Sequence, residues 1–163
     1  EPGELAVRGP QVMCGYWNKP ETQGQAFARY NGEDWLRTGD VATIDEEGFL
    51  AIVDRIKDMI AVGGFKVFPS QVEHVLLQHP AIKEVLVIGV PDDYRGEVPE
   101  AYAVLNPCED GGENATGEEL AAWLNGRIGK HERVSRVVLR DDLPKTMIGK
   151  LDRKALRAEV LPG

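Results

Sequence analysis

The sequence lacks several features that would place it outside ordinary globular proteins. Among its 163 residues, no apolar run approaches the roughly 18 residues needed to cross a bilayer. No glycine period indicates a collagen-like fibre, and apolar residues, at 42%, are too frequent for a wholly disordered chain. The two cysteines, Cys14 and Cys108, cannot form a disulfide framework and match no metal-ligand spacing. We therefore expect a globular, cytoplasmic protein without a membrane span or a metal site of its own.

The chain also lacks an initiator methionine, a signal peptide and a transit peptide, since it begins Glu1-Pro2-Gly3. We expect it to be a fragment of a longer protein. Residues 1–54 have strand patterns and turns, but too few strands to bury a core alone. We interpret them as the strand-rich end of a large N-terminal domain, followed by a separate domain over residues 55–163.

Charge is unevenly distributed along the chain. The net charge is −8, from 19 Lys and Arg against 27 Asp and Glu. Residues 127–163 contain ten basic and five acidic residues, so this tail carries +5 and residues 1–126 carry −13. Because duplex nucleic acid requires a broad positive face, we expect no nucleic-acid binding. The basic tail suits a phosphorylated small molecule, an acidic partner or simply a solvated helix face.

Residues 55–163 have patterns that predict the order hairpin, helix, strand, strand, helix, strand, helix. The strand-like runs are 59–62, 85–90, 101–105 and 134–139, and the helical runs are 70–78, 117–128 and 152–159. Capping boxes are predicted at residues 70–73 and 116–119. This order predicts a small mixed sheet with about three helices, of the α+β class.

Residues 1–54 are predicted to contain short strands separated by turns. The strands are residues 5–8 and 49–53, and a short helix is expected over 23–28. Residues 35–40 are expected to end in a tight turn at Gly39, and residues 45–48 to form a hairpin turn.

Four short segments carry residue types that suit binding or catalysis. In the loop 144–150, Gly149 lets Lys150 approach an anion, although the segment is not a Walker loop and also fits a basic surface turn. Asp40 follows Gly39, and its carboxylate suits a vicinal diol such as a ribose, or an Asx-type turn. The other two segments are 54–60, with alternating charge, and 62–69, with paired glycines. They suit hydrogen bonding and close backbone approach to a ligand, or else a charged strand edge and a plain hairpin turn.

The order of the motifs is more specific than any one of them. They follow one another at 15–22, 37–40, 54–58, 63–67, 69–73, 89–97 and 144–150. In this order they resemble the carboxyl-terminal part of the adenylate-forming enzymes, which include acyl- and aryl-CoA synthetases, firefly-type luciferases and peptide-synthetase adenylation domains. The segments 9–13, 15–17 and 64–69 make the chain most similar to the bacterial long-chain fatty acid–CoA ligases within that superfamily.

The resemblance implies a two-step reaction with ATP, a fatty acid and CoA as ligands. The carboxylate attacks the α-phosphate of ATP, and the CoA thiol then displaces AMP from the acyl-adenylate. Asp40 and Arg55 match the family residues that bind the ribose, and Lys150 matches the lysine that reaches the carboxylate and α-phosphate. Lys57 matches the hinge about which the small C-terminal lid swings against the N-terminal domain between the two steps.

The same resemblance implies a thiolation loop and marks what the chain does not contain. Gly63, Gly64, Phe65 and Lys66 match the loop that flanks the pantetheine channel of CoA. No Ser/Thr/Gly-rich phosphate loop and no Tyr-Gly-x-Thr-Glu segment is present, so the Mg²⁺ ligands and the acyl pocket are expected in the missing N-terminal part. We expect the fragment alone to be inactive.

Two alternative functions remain open from the sequence. One is an adenylation domain that loads a carrier protein, and the other is a non-catalytic module that binds a nucleotide or a partner. Peripheral association with a membrane is compatible with each of these functions.

Overall fold

The chain divides into two compact units in the computed structural model, which describes residues 2–107 and 115–161. The first unit is Glu1–Lys57 and the second is Asp58–Gly163. The division falls just after Lys57, slightly beyond the boundary between residues 54 and 55 that the sequence suggested. A short 3-10 turn, Ile56–Asp58, carries the chain across it.

The first unit is a four-stranded antiparallel sheet built around one long strand. Its strands are β1 (Gly3–Val7), β2 (Phe27–Tyr30), β3 (Glu33–Ile44) and β4 (Leu50–Arg55), and β3 pairs with each of the other three. A 3-10 turn (Pro20–Thr22) and the short helix α1 (Gln23–Ala26) precede β2. The helix ends at Ala26 rather than Ala28, because Phe27 already has extended backbone.

Two turns predicted in the first unit had different outcomes. The hairpin turn after β3 is confirmed, since the Asp45 carboxylate accepts hydrogen bonds from the backbone N–H groups of Glu47 and Phe49, at 3.0 and 2.8 Å. The tight turn expected at Gly39 is wrong, because Gly39 lies within β3. There it has a φ of 73°, and the pairing of β1 with β3 shifts register at this point. The glycine therefore forms a bulge in a continuous strand, where a positive φ is allowed.

The second unit is a five-stranded sheet with helices on both faces. Its strands are β5 (Ile60–Val62), β6 (Phe65–Val67), β7 (Ile82–Asp92), β8 (Gly96–Leu105) and β9 (Val137–Leu139), and its helices are α2 (Pro69–Leu76), α3 (Gly117–Asn125) and α4 (Arg153–Val160). The strand order is β6-β5-β8-β7, antiparallel, and β9 adds parallel to β8. This confirms the predicted order of elements and the α+β class.

The two faces of β7 supply the two halves of the core. Val85 and Val87 belong to the cluster that includes residues of α2 and α3, whereas Leu86 and Ile88 belong to the cluster that includes Leu156 of α4. This alternation follows from the period of two along a strand, because successive side chains point to opposite faces. The uninterrupted apolar run in β7 is thus that of a strand covered on both sides.

One of the two predicted capping boxes is confirmed. At α3, the Glu119 N–H donates to Thr116 Oγ1 (3.2 Å) and the Thr116 N–H donates to the Glu119 carboxylate (2.9 Å). The box expected at α2 is wrong, since the N-cap is Phe68, Pro69 occupies the first turn, and no side chain caps the helix. Glu73 instead accepts from the Val87 N–H at 2.7 Å, so it joins the helix to β7.

Candidate functional site

An exposed ion pair lies at the end of the first unit's sheet. Asp40 of β3 stands opposite Arg55 of β4 in the pairing register, and the Arg55 Nε lies 3.3 Å from Asp40 Oδ1. The side chains are 30% and 62% exposed, so the pair is accessible to a ligand. The buried Asp54 carboxylate accepts from the Arg55 N–H at 2.8 Å and fixes the backbone beside the pair.

The bulge at Gly39 determines how Asp40 is presented. Thr38 Oγ1 donates to the Leu5 carbonyl at 2.8 Å and accepts from the Asp40 N–H at 3.1 Å. These two bonds tie the bulge to β1 and leave the Asp40 carboxylate to Arg55. The Thr-Gly-Asp order is therefore explained by the strand, with the threonine holding the irregular backbone that the glycine permits.

A cleft of about 740 Å³ lies beside this pair, within the first unit. Its lining residues are Glu4, Gln25, Arg37, Thr38, Gly39, Arg55, Ile56 and Lys57. Arg37 is the first residue of the motif at 37–40, but it was not predicted from the sequence as a site residue. Its Nε and Nη2 both donate to Glu4 Oε2, at 3.0 and 2.7 Å, and this hydrogen bonding raises the pKa of the guanidinium. Glu4 thus partly neutralises Arg37, while Arg55 and Lys57 add positive charge to the lining.

In the second unit, Lys150 follows a tightly closed turn. The Thr146 N–H donates to the Lys150 carbonyl at 2.7 Å, the Gly149 N–H donates to the Thr146 carbonyl at 2.8 Å, and the Lys150 N–H donates to Thr146 Oγ1 at 3.2 Å. Gly149 has a φ of 78°, which a glycine adopts without strain. Lys150 is exposed, and its ammonium has no ion-pair or hydrogen-bond partner within residues 2–107 and 115–161. The turn therefore presents a fixed backbone with an unpaired cation.

The other lysine of this loop has a different environment. Lys145 pairs with Asp142 at 2.7 Å and with Glu84 of β7 at 3.0 Å. The hydrogen bond to Asp142, followed by that to Glu84, raises the pKa of Lys145, and the same contact with Lys145 lowers the pKa of Asp142. Lys145 also forms an isolated backbone bridge with Leu151. Lys145 thus anchors the base of the loop, while Lys150 remains available to an anion.

The paired glycines join β5 to β6 in a tight hairpin. Gly63 and Gly64 have φ values of 56° and 88°, and the Gly63 N–H donates to the Arg95 carbonyl at 2.8 Å. Phe65 stacks on His131, with ring centroids 3.4 Å apart and an interplanar angle of 13°. The sequence offered no signal for this contact, because the two residues lie in distant segments. Phe65 and Lys66 are both exposed, so the hairpin has an aromatic and a basic group beside its glycines.

The predicted site residues thus fall into two groups. Asp40, Arg55 and Lys57 lie in the first unit, and Lys57 is its last residue. The thiolation-loop glycines and Lys150 lie in the second unit. Among the described residues, no group of three or more His, Cys, Asp or Glu side chains is arranged to hold a metal ion. The described helices also include none that is both long and apolar enough to span a membrane.

The chain is similar to known proteins in sequence. Residues 71–150 match the AMP-binding enzyme C-terminal domain. Over 159 residues the chain is 45% identical to the long-chain-fatty-acid–CoA ligase of Bacillus subtilis, an alignment that covers 98% of this chain and 27% of the relative. The chain therefore spans little more than a quarter of the length of the curated relatives it matches.

Solved structures extend the similarity to the fold. ATP-bound MatB from Rhodopseudomonas palustris matches with a TM-score of 0.86 and 33% identity, over 98% of this chain and 30% of that one. The o-succinylbenzoate CoA synthetase of Bacillus subtilis, in complex with its acyl-adenylate intermediate, matches with a TM-score of 0.79 and 38% identity, over 96% and 30%. These similarities confirm the resemblance that the ordered motifs indicated: the chain belongs to the AMP-binding, adenylate-forming enzymes and carries their C-terminal domain.

Proposed function

We propose that this chain is the C-terminal part of an AMP-forming long-chain fatty acid–CoA ligase. In this reaction the fatty acid carboxylate attacks the α-phosphate of ATP, which releases pyrophosphate and gives the acyl-adenylate. The CoA thiol then attacks the acyl carbon, AMP leaves, and the thioester forms. The carrier-loading and non-catalytic alternatives are not favoured, because the relatives that align over nearly the whole chain are CoA ligases.

The observation that carries the proposal is the exposed Lys150 ammonium after its closed turn. Its turn is held by three hydrogen bonds, and no acid within the described residues neutralises it. Negative charge develops on phosphoryl oxygens during adenylation, and a preplaced cation stabilises that charge where water is excluded. We assign Lys150 to this role, with the carboxylate of the fatty acid as its second contact.

The cleft of the first unit suits the ribose of the nucleotide. Each oxygen of the Asp40 carboxylate can accept a hydrogen bond from one hydroxyl of a vicinal diol. Arg55, at 3.3 Å, orients that carboxylate and is exposed enough to donate to the ligand as well. Thr38 and Gly39 supply the bulge that this geometry requires.

The remaining assignments concern the second step. Lys57, at the boundary between the units, is proposed as the hinge. A change in its backbone conformation would move the C-terminal domain from its position for adenylation to its position for thioester formation. Gly63 and Gly64, with Phe65 and Lys66, are proposed to line the path of the CoA pantetheine arm.

The proposal also includes a metal ion and a cellular location. Mg²⁺ is proposed to be held by residues outside this chain, and the protein is proposed to be cytoplasmic, as the sequence led us to expect.

The test is ATP–pyrophosphate exchange with palmitate by a full-length ligase that contains this chain. Replacing Lys150 by alanine is expected to reduce exchange roughly 100- to 1000-fold, the cost of removing one preorganised donor from a developing oxyanion. Thioester formation from preformed acyl-adenylate and CoA is expected to survive, because Lys150 acts only in the first step.

The matched control is Lys154→Ala, which removes an exposed lysine from α4, the helix that follows the loop. Its exchange rate should equal that of the wild type. If Lys150→Ala and Lys154→Ala were equally active in exchange, Lys150 would not be the adenylation lysine and the proposed function of the loop would be wrong.

A further inference from the structure

Arg153, at the start of α4, binds three separate elements of the second unit. Its Nε donates to the Val87 carbonyl of β7 at 3.1 Å, and its Nη2 donates to the Glu73 carboxylate of α2 at 2.7 Å. Its Nη1 lies 3.3 Å from Asp58 Oδ2. The Arg153 side chain is only 18% exposed, so these contacts are largely shielded from water and salt.

The acids that hold Arg153 are themselves held in place. Glu73 Oε1 also accepts from the Val87 N–H at 2.7 Å, so β7 binds both members of this ion pair. The side chains of Glu73 and Asp58 are 14% and 22% exposed. A planar guanidinium with several partners in fixed directions is more rigid than a single surface ion pair, so we expect a lysine to replace it only in part.

The residues of this network lie next to two predicted site residues, Lys57 and Lys150. Asp58 is the first residue of the second unit and directly follows Lys57, the proposed hinge. Arg153 comes just after Lys150, and Asp152 between them caps α4 by accepting from the Ala155 N–H at 3.0 Å. One guanidinium thus joins the end of the lysine turn to the residue at which the second unit begins.

We propose that Arg153 is a positioning residue for adenylation. It sets where the Lys150 ammonium stands relative to the hinge end of the second unit, through Asp58, Glu73 and Val87. This inference rests on the proposed function, because it assigns to Arg153 the placement of the lysine that acts in the first step. Because Lys150 acts only in the first step, the second step should depend little on Arg153.

The test measures both half-reactions of the full-length ligase with Arg153→Met and Arg153→Lys. Arg153→Met is expected to lower kcat for ATP–pyrophosphate exchange by roughly 100-fold, the cost of misplacing a reacting group by about 1 Å. The KM for ATP and the rate of thioester formation from preformed acyl-adenylate should change little. Arg153→Lys keeps the charge without the planar fork, so it should restore part of the exchange rate.

The matched control is Arg157→Met on the same helix. Within the described part of the chain, Arg157 forms its ion pair with Glu97, at 3.3 Å. It should leave the ratio of the two half-reactions unchanged. A purely structural role for Arg153 would instead lower both half-reactions by the same factor, and that outcome, like an unchanged exchange rate, would overturn the proposal.

A second variant covers the case in which Arg153→Met fails to fold. Asp58→Asn removes only the pair at 3.3 Å and leaves Arg153 on Glu73 and Val87. A smaller but selective loss of exchange supports the proposal, whereas equal or absent losses contradict it. Lys150→Ala separates this proposal from the proposed function: if it does not reduce exchange, the function fails; if it does and Arg153→Met does not, only the role of Arg153 fails.

Discussion

The two units differ most in how they bury apolar side chains. Within the described residues, the buried hydrophobic side chains of the first unit are Val41 and Ala42, whereas the second unit has twenty. The second unit has a sheet covered by helices on both faces, and its core runs through α2, α3 and α4. It therefore has what an independent domain requires, namely its own hydrophobic core.

The first unit leaves apolar side chains of its sheet exposed. Its exposed large hydrophobic residues include Tyr30, Ile44, Phe49, Leu50 and Ile52. A cleft of about 510 Å³ lies on the same sheet, lined in part by Trp35, whose buried Nε1 has no hydrogen-bond partner in the described part of the chain. A sheet with so little buried apolar surface is poorly stabilised alone, whereas the second unit stabilises itself.

The largest expected effect comes from separating the two units. Residues 58–161 produced alone should retain secondary structure and unfold in one cooperative urea transition followed by circular dichroism. Residues 2–57 produced alone should show no such transition, because Val41 and Ala42 are too small a core. A cooperative transition of residues 2–57 would remove the difference between the units.

The next effect compares single apolar residues in the two units. Leu156 of α4 is completely buried, so Leu156→Ala should lower the free energy of unfolding by about 2–5 kcal/mol. Ile52 of β4 is 55% exposed, so Ile52→Ala should change it by no more than about 0.5 kcal/mol. Urea unfolding of the whole chain measures both variants, and a larger loss at Ile52 would show that the first unit has a core after all.

Local sequence patterns predicted the second unit better than the first. The apolar run of β7 and the capping box at Thr116 depend on neighbouring residues, and both patterns predicted their elements correctly. The box expected at Ser70 failed for two reasons that lie in its surroundings. Pro69 already occupies the first turn, and Glu73 is bound by Arg153, which comes from the other end of the unit.

In the candidate site too, local sequence patterns failed where residues distant in sequence determine the structure. The order of the motifs predicted which residues are candidates for the site, but it did not predict their arrangement in space. A tight turn was expected at Gly39, yet β3 continues through it because β1 and β4 both pair with that strand. The stack of Phe65 on His131 joins distant segments, so no spacing rule could have predicted it.

A smaller effect concerns the ionisation of tyrosines in the two units. Burial, followed by the hydrogen bond from its hydroxyl to Glu100, raises the pKa of Tyr102 to about 12. Because this value is above the ordinary 10.0, the contribution of Tyr102 to stability is complete below pH 10 and is lost as the pH rises towards 12. In a pH titration followed by tyrosinate absorbance, Tyr102 should give a late step, at a pH above that of exposed tyrosines, and Tyr102→Phe should remove this step.

The matched comparison is Tyr30→Phe, which removes a 66% exposed tyrosine from the first unit. It should leave the late absorbance step in place. Glu100→Gln should move the step to lower pH, since the hydrogen bond and the charge of Glu100 both favour the protonated tyrosine. A late step that persisted in Tyr102→Phe would assign it to another residue.

The smallest effect comes from the helix cap of α3. Thr116→Ala removes the hydroxyl that accepts the Glu119 N–H, and it should cost about 1 kcal/mol, or about 4–8 °C in the Tm of a domain of this size. Hydrogen bonds from Thr116 also lower the pKa of Glu119, so that contribution is present above the ordinary carboxyl value of 4.5 and is lost as the pH falls through the lower folded value.

The cap prediction has controls in both units. Thr116→Ser keeps a hydroxyl that caps helices well and should retain the stability of the wild type. Thr22→Ala, in the first unit, removes an exposed hydroxyl that donates to the Lys19 carbonyl and caps no helix, so the Tm of the second unit should not change. If Thr116→Ala and Thr22→Ala lowered that Tm equally, the loss at Thr116 would not arise from the cap. A loss seen only at Thr116, and smaller at pH 3 than at pH 7, would assign it to the reciprocal bonds with Glu119.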